Sequence, residues 1–151
     1  MRAVIQRVQS ASVHVAGRTS GQIGRGLLIL VGVADADEVF DAEWLAQKAV
    51  SLRLFDDAQG VMNLSVTEVP DSGILVVSQF TLQASTKKGQ RPSYHLAARP
   101  GKAVPLYESF LHYCRQAFGR DLATGEFGAH MQVSLVNDGP VTILLDSKTR
   151  E

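Results

Sequence analysis

A run of hydroxyl and amide side chains closes an apolar segment in the middle of the chain. Residues 74–77 are all apolar, and Ser78-Gln79-Phe80-Thr81-Leu82 follow them directly. Polar groups at the end of a buried strand are a common setting for a binding or catalytic site. Thr81 could therefore act as a nucleophile, could orient a substrate, or could simply satisfy a backbone group with its hydroxyl.

Nucleophilic catalysis by Ser78 or Thr81 finds little support in the rest of the sequence. A nucleophilic hydroxyl needs an adjacent base. The chain has 4 histidines, and none stands in a recognisable triad motif with either residue. Orientation of a substrate and a purely structural hydroxyl therefore stay open for Thr81 beside the weakly supported nucleophilic role.

The segment that follows is free of acidic side chains. Between Asp71 and Glu108 there is no aspartate or glutamate, whereas the basic residues there are Lys87, Lys88, Arg91, Arg99 and Lys102. With a net charge of +0 overall, this segregation predicts a local electropositive loop that could contact phosphates. A solvated surface loop without a ligand is the alternative, although Gly89 would let the backbone approach a ligand closely.

A second unusual segment lies near the C-terminus. Two apolar runs, 131–136 and 141–145, flank Asn137-Asp138-Gly139-Pro140. Asp-Gly between such runs predicts a β-hairpin turn, but proline removes a backbone donor where the second strand should begin. Such a corner could be purely architectural, or it could hold backbone carbonyls for a ligand.

No combination of residues indicates a metal or a cofactor. Histidines, carboxylates and the single cysteine, Cys114, show no ligand spacing, and Gly24-Arg25-Gly26 is too short for a dinucleotide fingerprint. Cys114 lies in a helical apolar pattern and is interpreted as a packing residue. We therefore expect neither a metal nor a cofactor, and no disulfide.

The order of predicted elements indicates an α+β fold. Strands come first, then a helix capped by Asp35 or Asp37 and running to about Arg53, a buried strand over 74–80 and a long loop. A short helix over 95–99, a helix from Pro105 to Gly119 and a final hairpin complete the pattern. This order predicts one domain, residues 1–151, with an antiparallel or mixed sheet. The longest apolar run, 27–33, is far too short to span a membrane, so we expect a cytoplasmic protein.

Taken together, these segments resemble the D-aminoacyl-tRNA deacylase family. The resemblance runs almost from end to end and includes two signature motifs, Ser78-Gln79-Phe80-Thr81-Leu82 and Asn137-Asp138-Gly139-Pro140-Val141-Thr142. It also covers residues 1–8, 26–33, 63–65, 89–93 and 127–131. A small departure is Gln83-Ala84-Ser85, where many members carry an aromatic and then an acidic residue.

The resemblance implies a barrel-like homodimer that hydrolyses the ester between a D-amino acid and the 3′-terminal adenosine of tRNA. Ser78, Gln79, Phe80 and Thr81 would form the active site, with the backbone N–H groups of Gln79 and Phe80 available to the substrate. The Gly139–Pro140 peptide would be cis and would enter the partner's active site, where its carbonyls bind the α-ammonium and exclude an L side chain.

Together with the electropositive loop predicted above, the resemblance makes tRNA the expected partner of Lys87, Lys88 and Arg91. Two further expectations come from the resemblance alone. Glycine has no side chain to exclude, so glycyl-tRNA mischarged on an alanine tRNA would also be a substrate. The terminal ribose 2′-OH of the tRNA would take the place of a protein base, which accounts for the missing triad. A non-catalytic tRNA-binding dimer and an esterase with a threonine nucleophile remain the alternatives.

Overall fold

A computed structural model describes residues 1–150 of the chain. The strands are β1 (Arg2–Val15), β2 (Arg18–Ile23), β3 (Gly26–Gly32), β4 (Phe55–Asp56), β5 (Met62–Leu64), β6 (Gly73–Ser78), β7 (Ala123–Thr124) and β8 (Gln132–Asp146). The α-helices are α1 (Val39–Ser51) and α2 (Pro100–Phe118). Two 3₁₀ turns, Val66–Glu68 and Phe80–Gln83, complete the described structure.

The main sheet is mixed and nearly closed. Its strand order is β2-β1-β3-β6-β7, and β8 also pairs with β1. The β3–β6 and β6–β7 pairs are parallel, whereas β1 is antiparallel to each of its neighbours. At the far edge, the Ser20 hydroxyl donates to the Thr124 carbonyl over 3.2 Å, which brings β2 against β7. The predicted α+β fold with a mixed, barrel-like sheet is confirmed.

Burial follows directly from the apolar runs. β3 has β1 on one side and β6 on the other, and six of its seven residues are buried. Helices α1 and α2 cover one face of the sheet, and Phe55, Phe110 and Ile29 are fully buried in the resulting core. Cys114 belongs to this core, as predicted, and burial raises the pKa of its thiol to about 12.

Both predicted N-terminal caps of α1 are wrong. Glu38 caps the helix, and it exchanges side-chain and backbone hydrogen bonds with Asp41. Asp37 instead accepts hydrogen bonds from the Ala34 backbone N–H and from the α-amino group of Met1. A carboxylate just before a helix is a typical N-cap, which is why the sequence predicted Asp37 in that role. The α-amino group that binds Asp37 instead lies 36 positions away in the sequence.

Helix α2 begins five residues before the predicted start. Pro100 occupies its first turn and Pro105 lies inside the helix, while residues 95–99 are not helical. The predicted C-terminal stop is confirmed, because Gly119 has φ +72 and its N–H donates to the Arg115 carbonyl. Within residues 1–150, no helix is long and apolar enough to cross a membrane.

The predicted C-terminal hairpin is also wrong. Gln132–Asp146 is one long strand, and both of its halves pair with β1. The register shifts between Val8, which lies opposite Asn137, and Gln6, which lies opposite Thr142. The Asn-Asp-Gly-Pro segment is therefore a bulged corner within a strand and not a turn between two strands.

A closed set of charged and polar groups joins the start of β1 to α1 and to the end of β8. We call it the N-terminal network: Met1, Asp37, Asp41, Ser147 and Lys148. The Met1 α-amino group donates to Asp37 and, over 2.7 Å, to the Ser147 hydroxyl. That hydroxyl donates to Asp41 over 2.7 Å, and the Lys148 ammonium donates to the other Asp41 oxygen over 2.7 Å.

Asp41 is held in its ionised form by this network. Burial alone raises the pKa of its carboxyl, but hydrogen bonds from Lys148, from the Glu38 backbone and from Ser147 outweigh that effect. The net result is a pKa below the usual value.

Candidate functional site

The Ser78-Gln79-Phe80-Thr81 segment lies where β6 ends and the chain turns away from the sheet. Ser78 is the last residue of β6, opposite Val31 of the parallel strand β3. The Gln79 backbone N–H donates to the Val31 carbonyl over 2.7 Å, and the 3₁₀ turn begins at Phe80. Two parallel strands thus fix the position from which these side chains emerge.

A cavity of about 410 Å³ opens beside this strand end. Ser78, Gln79 and Phe80 line it together with a mostly apolar wall. That wall consists of Val31, Val33, Val77, Ala98, Pro100, Ala103, Phe127, Gly128, Ala129, His130, Met131 and Val133. An apolar cavity with a few polar groups at one end suits a small organic group that must be bound in one orientation.

The Thr81 hydroxyl is engaged by an amide and not by a base. The Gln79 side-chain N–H donates to it over 2.6 Å, and Thr81 itself does not line the cavity. An amide can position a hydroxyl, but it cannot remove its proton. This contact supports an orienting role for the pair.

The two backbone N–H groups expected to face a substrate differ in this structure. That of Gln79 is occupied by the Val31 carbonyl, so it is not free. Phe80 is the first residue of its turn, and its N–H has no backbone acceptor within residues 1–150. Of these two backbone N–H groups, only that of Phe80 is therefore free of a backbone acceptor in the described part of the chain.

The basic residues are presented on a short closed loop outside the cavity. Ser85 and Ser93 exchange two backbone hydrogen bonds, of 2.7 and 2.9 Å, and so close residues 85–93, which we call the basic loop. Lys87, Lys88 and Arg91 are all exposed, and none lines the cavity. In the part of the chain that the structure describes, no carboxylate lies within ion-pair distance of them.

The Gly139–Pro140 peptide bond is cis, and both residues are exposed. The Asn137 amide spans the corner, accepting from the Val141 N–H over 2.9 Å and donating to the Val141 carbonyl over 3.2 Å. Neither Gly139 nor Pro140 lines the cavity of its own chain. The structure thus brings Ser78, Gln79 and Phe80 together, and it leaves the corner apart from them.

Arg7 supports the corner, a role that the sequence did not reveal. Its guanidinium is almost buried and donates to the carbonyls of Leu54 (2.7 Å) and Asp138 (3.1 Å). The Asp138 carboxylate lies 3.5 Å away. The sequence did hold one indication of this role, because Arg7 shares a face of β1 with the apolar residues Ala3 and Ile5. A charged side chain is rarely buried on such a face unless it has a partner.

The wall formed by residues 127–131 was likewise not predicted as part of the site. Phe127 packs against Tyr107, with ring centroids 5.5 Å apart. Burial raises the pKa of Tyr107 far above its usual value, so this phenol stays neutral. Its hydroxyl donates to the Val76 carbonyl, which ties the wall to the strand that carries Ser78.

Fold and site together define a class: a mixed α+β protein with an apolar cavity at a strand end and a cationic loop beside it. The sequence matches the family described as D-Tyr-tRNA(Tyr) deacylase over residues 4–146, and the chain belongs to that family. A relative from Opitutus terrae, named D-aminoacyl-tRNA deacylase, is 60% identical over 151 residues and 100% of both chains. The relative of the same name from Akkermansia muciniphila is 58% identical, again over 100% of both chains.

Two solved structures share the fold. One, described as c-Myc DNA Unwinding Element Binding Protein, is 42% identical with a TM-score of 0.90, covering 97% of this chain and 98% of its own. The other is described as a probable eukaryotic D-amino acid tRNA deacylase; it has a TM-score of 0.81 over 95% of this chain and 97% of its own. At 19% identity, this second likeness concerns the fold alone.

Proposed function

We propose that this protein hydrolyses the ester of D-aminoacyl-tRNA, releasing the free D-amino acid and tRNA, and that it spares L-aminoacyl-tRNA. Family membership over nearly the whole chain carries the proposal. The cavity lined by Ser78, Gln79 and Phe80 supports it, because an amino acid esterified to a ribose is a small group to be held beside polar atoms.

The direct test compares D-tyrosyl-tRNA with L-tyrosyl-tRNA under identical conditions. Release of tyrosine from the D form, with the L form left intact, is the expected result. Equal rates, or no release from the D form, would show that the protein does not check chirality.

The catalytic proposal assigns orientation and charge stabilisation to the protein. Water attacks the ester carbonyl, the Phe80 N–H stabilises the oxyanion, and the ribose 2′-OH of the tRNA assists the proton transfer that a protein base would otherwise perform. Thr81, fixed by the Gln79 amide, positions the ester. A tRNA that ends in 2′-deoxyadenosine should then react much more slowly, although it binds equally well.

The threonine-nucleophile alternative gives the opposite results. An acyl-enzyme on Thr81 would leave turnover largely insensitive to the 2′-OH, and Thr81→Ala would abolish turnover while substrate binding survives. A threonine that only positions the ester leaves measurable turnover in Thr81→Ala. The two substitutions, one in the RNA and one in the protein, therefore separate the mechanisms.

Chiral selection is proposed to come from a second copy of the chain. In a homodimer, the Gly139 and Pro140 carbonyls of one protomer would bind the α-ammonium in the other protomer's cavity and leave no space for an L side chain. The separation of this corner from the cavity of its own chain supports an action across subunits. Glycine has no side chain to exclude, so glycyl-tRNA mischarged on an alanine tRNA should also be hydrolysed.

Subunit complementation tests the shared site. Gly139→Ala damages the corner but leaves the cavity, and Ala129→Trp fills the cavity but leaves the corner. Exchange of subunits between the two inactive variants should restore about a quarter of wild-type activity. Half of the dimers are then mixed, and one of the two sites in each mixed dimer is intact. No recovery in demonstrably mixed dimers would place the corner and the cavity in the same subunit.

A non-catalytic RNA-binding protein is the second candidate, favoured by the unpaired cations of the basic loop. It predicts tight tRNA binding with no deacylation of any aminoacyl ester. The D- and L-tyrosyl-tRNA assay, run beside a binding measurement, decides between the two.

A further inference from the structure

Two exposed aromatic rings meet at the mouth of the cavity. Phe80 and Tyr94 are 58% and 41% exposed, and their centroids lie 5.1 Å apart with the ring planes at 70°. We call them the aromatic pair. Large rings gain most by burial, so an exposed pair at the edge of a cavity marks a surface that a ligand can cover.

The pair is fixed by backbone contacts on both sides. Tyr94 directly follows Ser93, which closes the basic loop, and the Leu96 carbonyl accepts the Asp35 N–H over 3.0 Å. Phe80 starts the turn anchored to β3 through Gln79. One ring of the aromatic pair thus lines the cavity, and the other adjoins the residue that closes the basic loop.

The two rings are placed differently with respect to the cavity. Phe80 lines it, and Tyr94 does not. Phe80 thus connects the cavity to Tyr94, and Tyr94 directly follows Ser93, the residue that closes the basic loop. An outward path from apolar cavity to aromatic rings to cations suits a nucleic-acid strand whose end is inserted.

We propose that the aromatic pair stacks the base of the penultimate nucleotide of the tRNA, just outside the cavity that takes the esterified terminal nucleoside. This inference rests on the proposed function. Every base has a π-face that an aromatic ring can cover, and neighbouring cations can bind the adjoining phosphates. The base lies against the pair while Lys87, Lys88 and Arg91 face the backbone of the same strand.

The chain offers a matched control in Phe40. This ring is 57% exposed and has a cation nearby, the Lys148 ammonium at 5.3 Å from its centroid, but it lies on α1 and does not line the cavity. An effect of exposed aromatic surface in general would appear in Phe40→Ala. An effect of the proposed stacking site appears in Tyr94→Ala and not in Phe40→Ala.

The test measures the affinity of the whole protein for a short single-stranded RNA with the 3′-terminal sequence of tRNA. Tyr94→Ala should weaken binding roughly five- to 150-fold, the usual range for one stacked base. Tyr94→Phe, which keeps the ring, and Phe40→Ala should bind like the wild type. An RNA with an abasic penultimate nucleotide should bind the wild type at least as weakly as the intact RNA binds Tyr94→Ala, and Tyr94→Ala should cause no further loss with the abasic RNA.

Three results would overturn the proposal: unchanged binding in Tyr94→Ala, a loss in Tyr94→Phe as large as in Tyr94→Ala, or additive losses from Tyr94→Ala and the abasic site. Deacylation of D-tyrosyl-tRNA is measured in parallel. Tyr94→Ala should raise KM and leave kcat nearly unchanged. If the wild type hydrolyses D-tyrosyl-tRNA and Tyr94→Ala binds the RNA normally, the stacking site alone is refuted. If the wild type does not hydrolyse D-tyrosyl-tRNA, the proposed function is refuted.

Discussion

Two polar regions of this molecule differ in whether their charged groups are buried and paired. In the N-terminal network, Asp37 and Asp41 are buried and bound by Met1, Ser147 and Lys148. In the basic loop, exposed cations face solvent without a carboxylate partner in the described residues. Buried charges need internal partners, whereas exposed charges without one are free to meet a ligand. We therefore expect the first region to contribute to stability, and we propose that the second contributes to recognition of RNA.

The largest effect on stability is expected at Asp37. Asp37→Asn leaves the buried Met1 ammonium without its anion, and loss of one partner of a buried pair should lower the free energy of unfolding by about 3 kcal/mol. Urea denaturation followed by circular dichroism measures it. Asp35→Asn, at an exposed position two residues away, is the matched control and should stay within about 0.5 kcal/mol of wild type. Equal stability of Asp37→Asn and wild type would mean that the network contributes nothing.

The next effect concerns activity at the corner. Gly139 has φ +139, and a Cβ there would lie 2.7 Å from the Val141 side chain and 2.8 Å from its backbone nitrogen. Gly139→Ala should therefore displace the corner and reduce kcat/KM on D-tyrosyl-tRNA by about a hundredfold, as small displacements in a site do. Gly17→Ala also introduces a side chain at positive φ, +78, but in open space, and it should keep full activity. Loss of activity in both variants would indicate a general effect of backbone strain.

Removal of the loop cations should weaken recognition without a change in stability. The combined variant Lys87→Ala, Lys88→Ala and Arg91→Ala should bind tRNA more weakly and reduce the slope of log affinity against log salt by roughly 2. Its free energy of unfolding should match that of wild type within about 0.5 kcal/mol. An unchanged salt slope would remove the basic loop from the RNA-binding surface.

The smallest expected effect is a pH dependence from Asp41. Its folded pKa is lowered, so its contribution to stability is present above the unfolded pKa of about 3.9 and is lost as pH falls through the folded value. Wild type should therefore exceed Asp41→Asn in stability at neutral pH, and the difference should shrink below about pH 4. A difference that grows on acidification would contradict the lowered pKa.

The sequence predicted best those features that depend on local pattern. The apolar run in β3, the core position of Cys114 and the stop of α2 at Gly119 each follow from neighbouring residues. The predicted start of α2, at Pro105, was wrong because Pro100 and Pro105 both fit the first turn of a helix. Local sequence does not decide between two such prolines, whereas packing does.

The features that sequence reasoning missed depend on distant partners. The corner at Gly139 lies within one strand because β1 is long enough to pair with both halves of β8. Asp37 does not cap α1 because the Met1 amino group binds it. Arg7 joins Leu54 to Asp138 across the fold. For the site, the motif at Ser78 predicted the polar end of the cavity, but its apolar wall comes from four separate parts of the chain.

The division of tasks between the two regions can be tested in one experiment. We would measure kcat/KM on D-tyrosyl-tRNA for Asp37→Asn and for the triple basic-loop variant, at one temperature at which both are fully folded. Asp37→Asn should keep wild-type kcat/KM within about twofold, while the loop variant loses about tenfold or more with unchanged stability. An equal loss of kcat/KM in both variants would contradict the account, because the buried network would then serve recognition as well as stability.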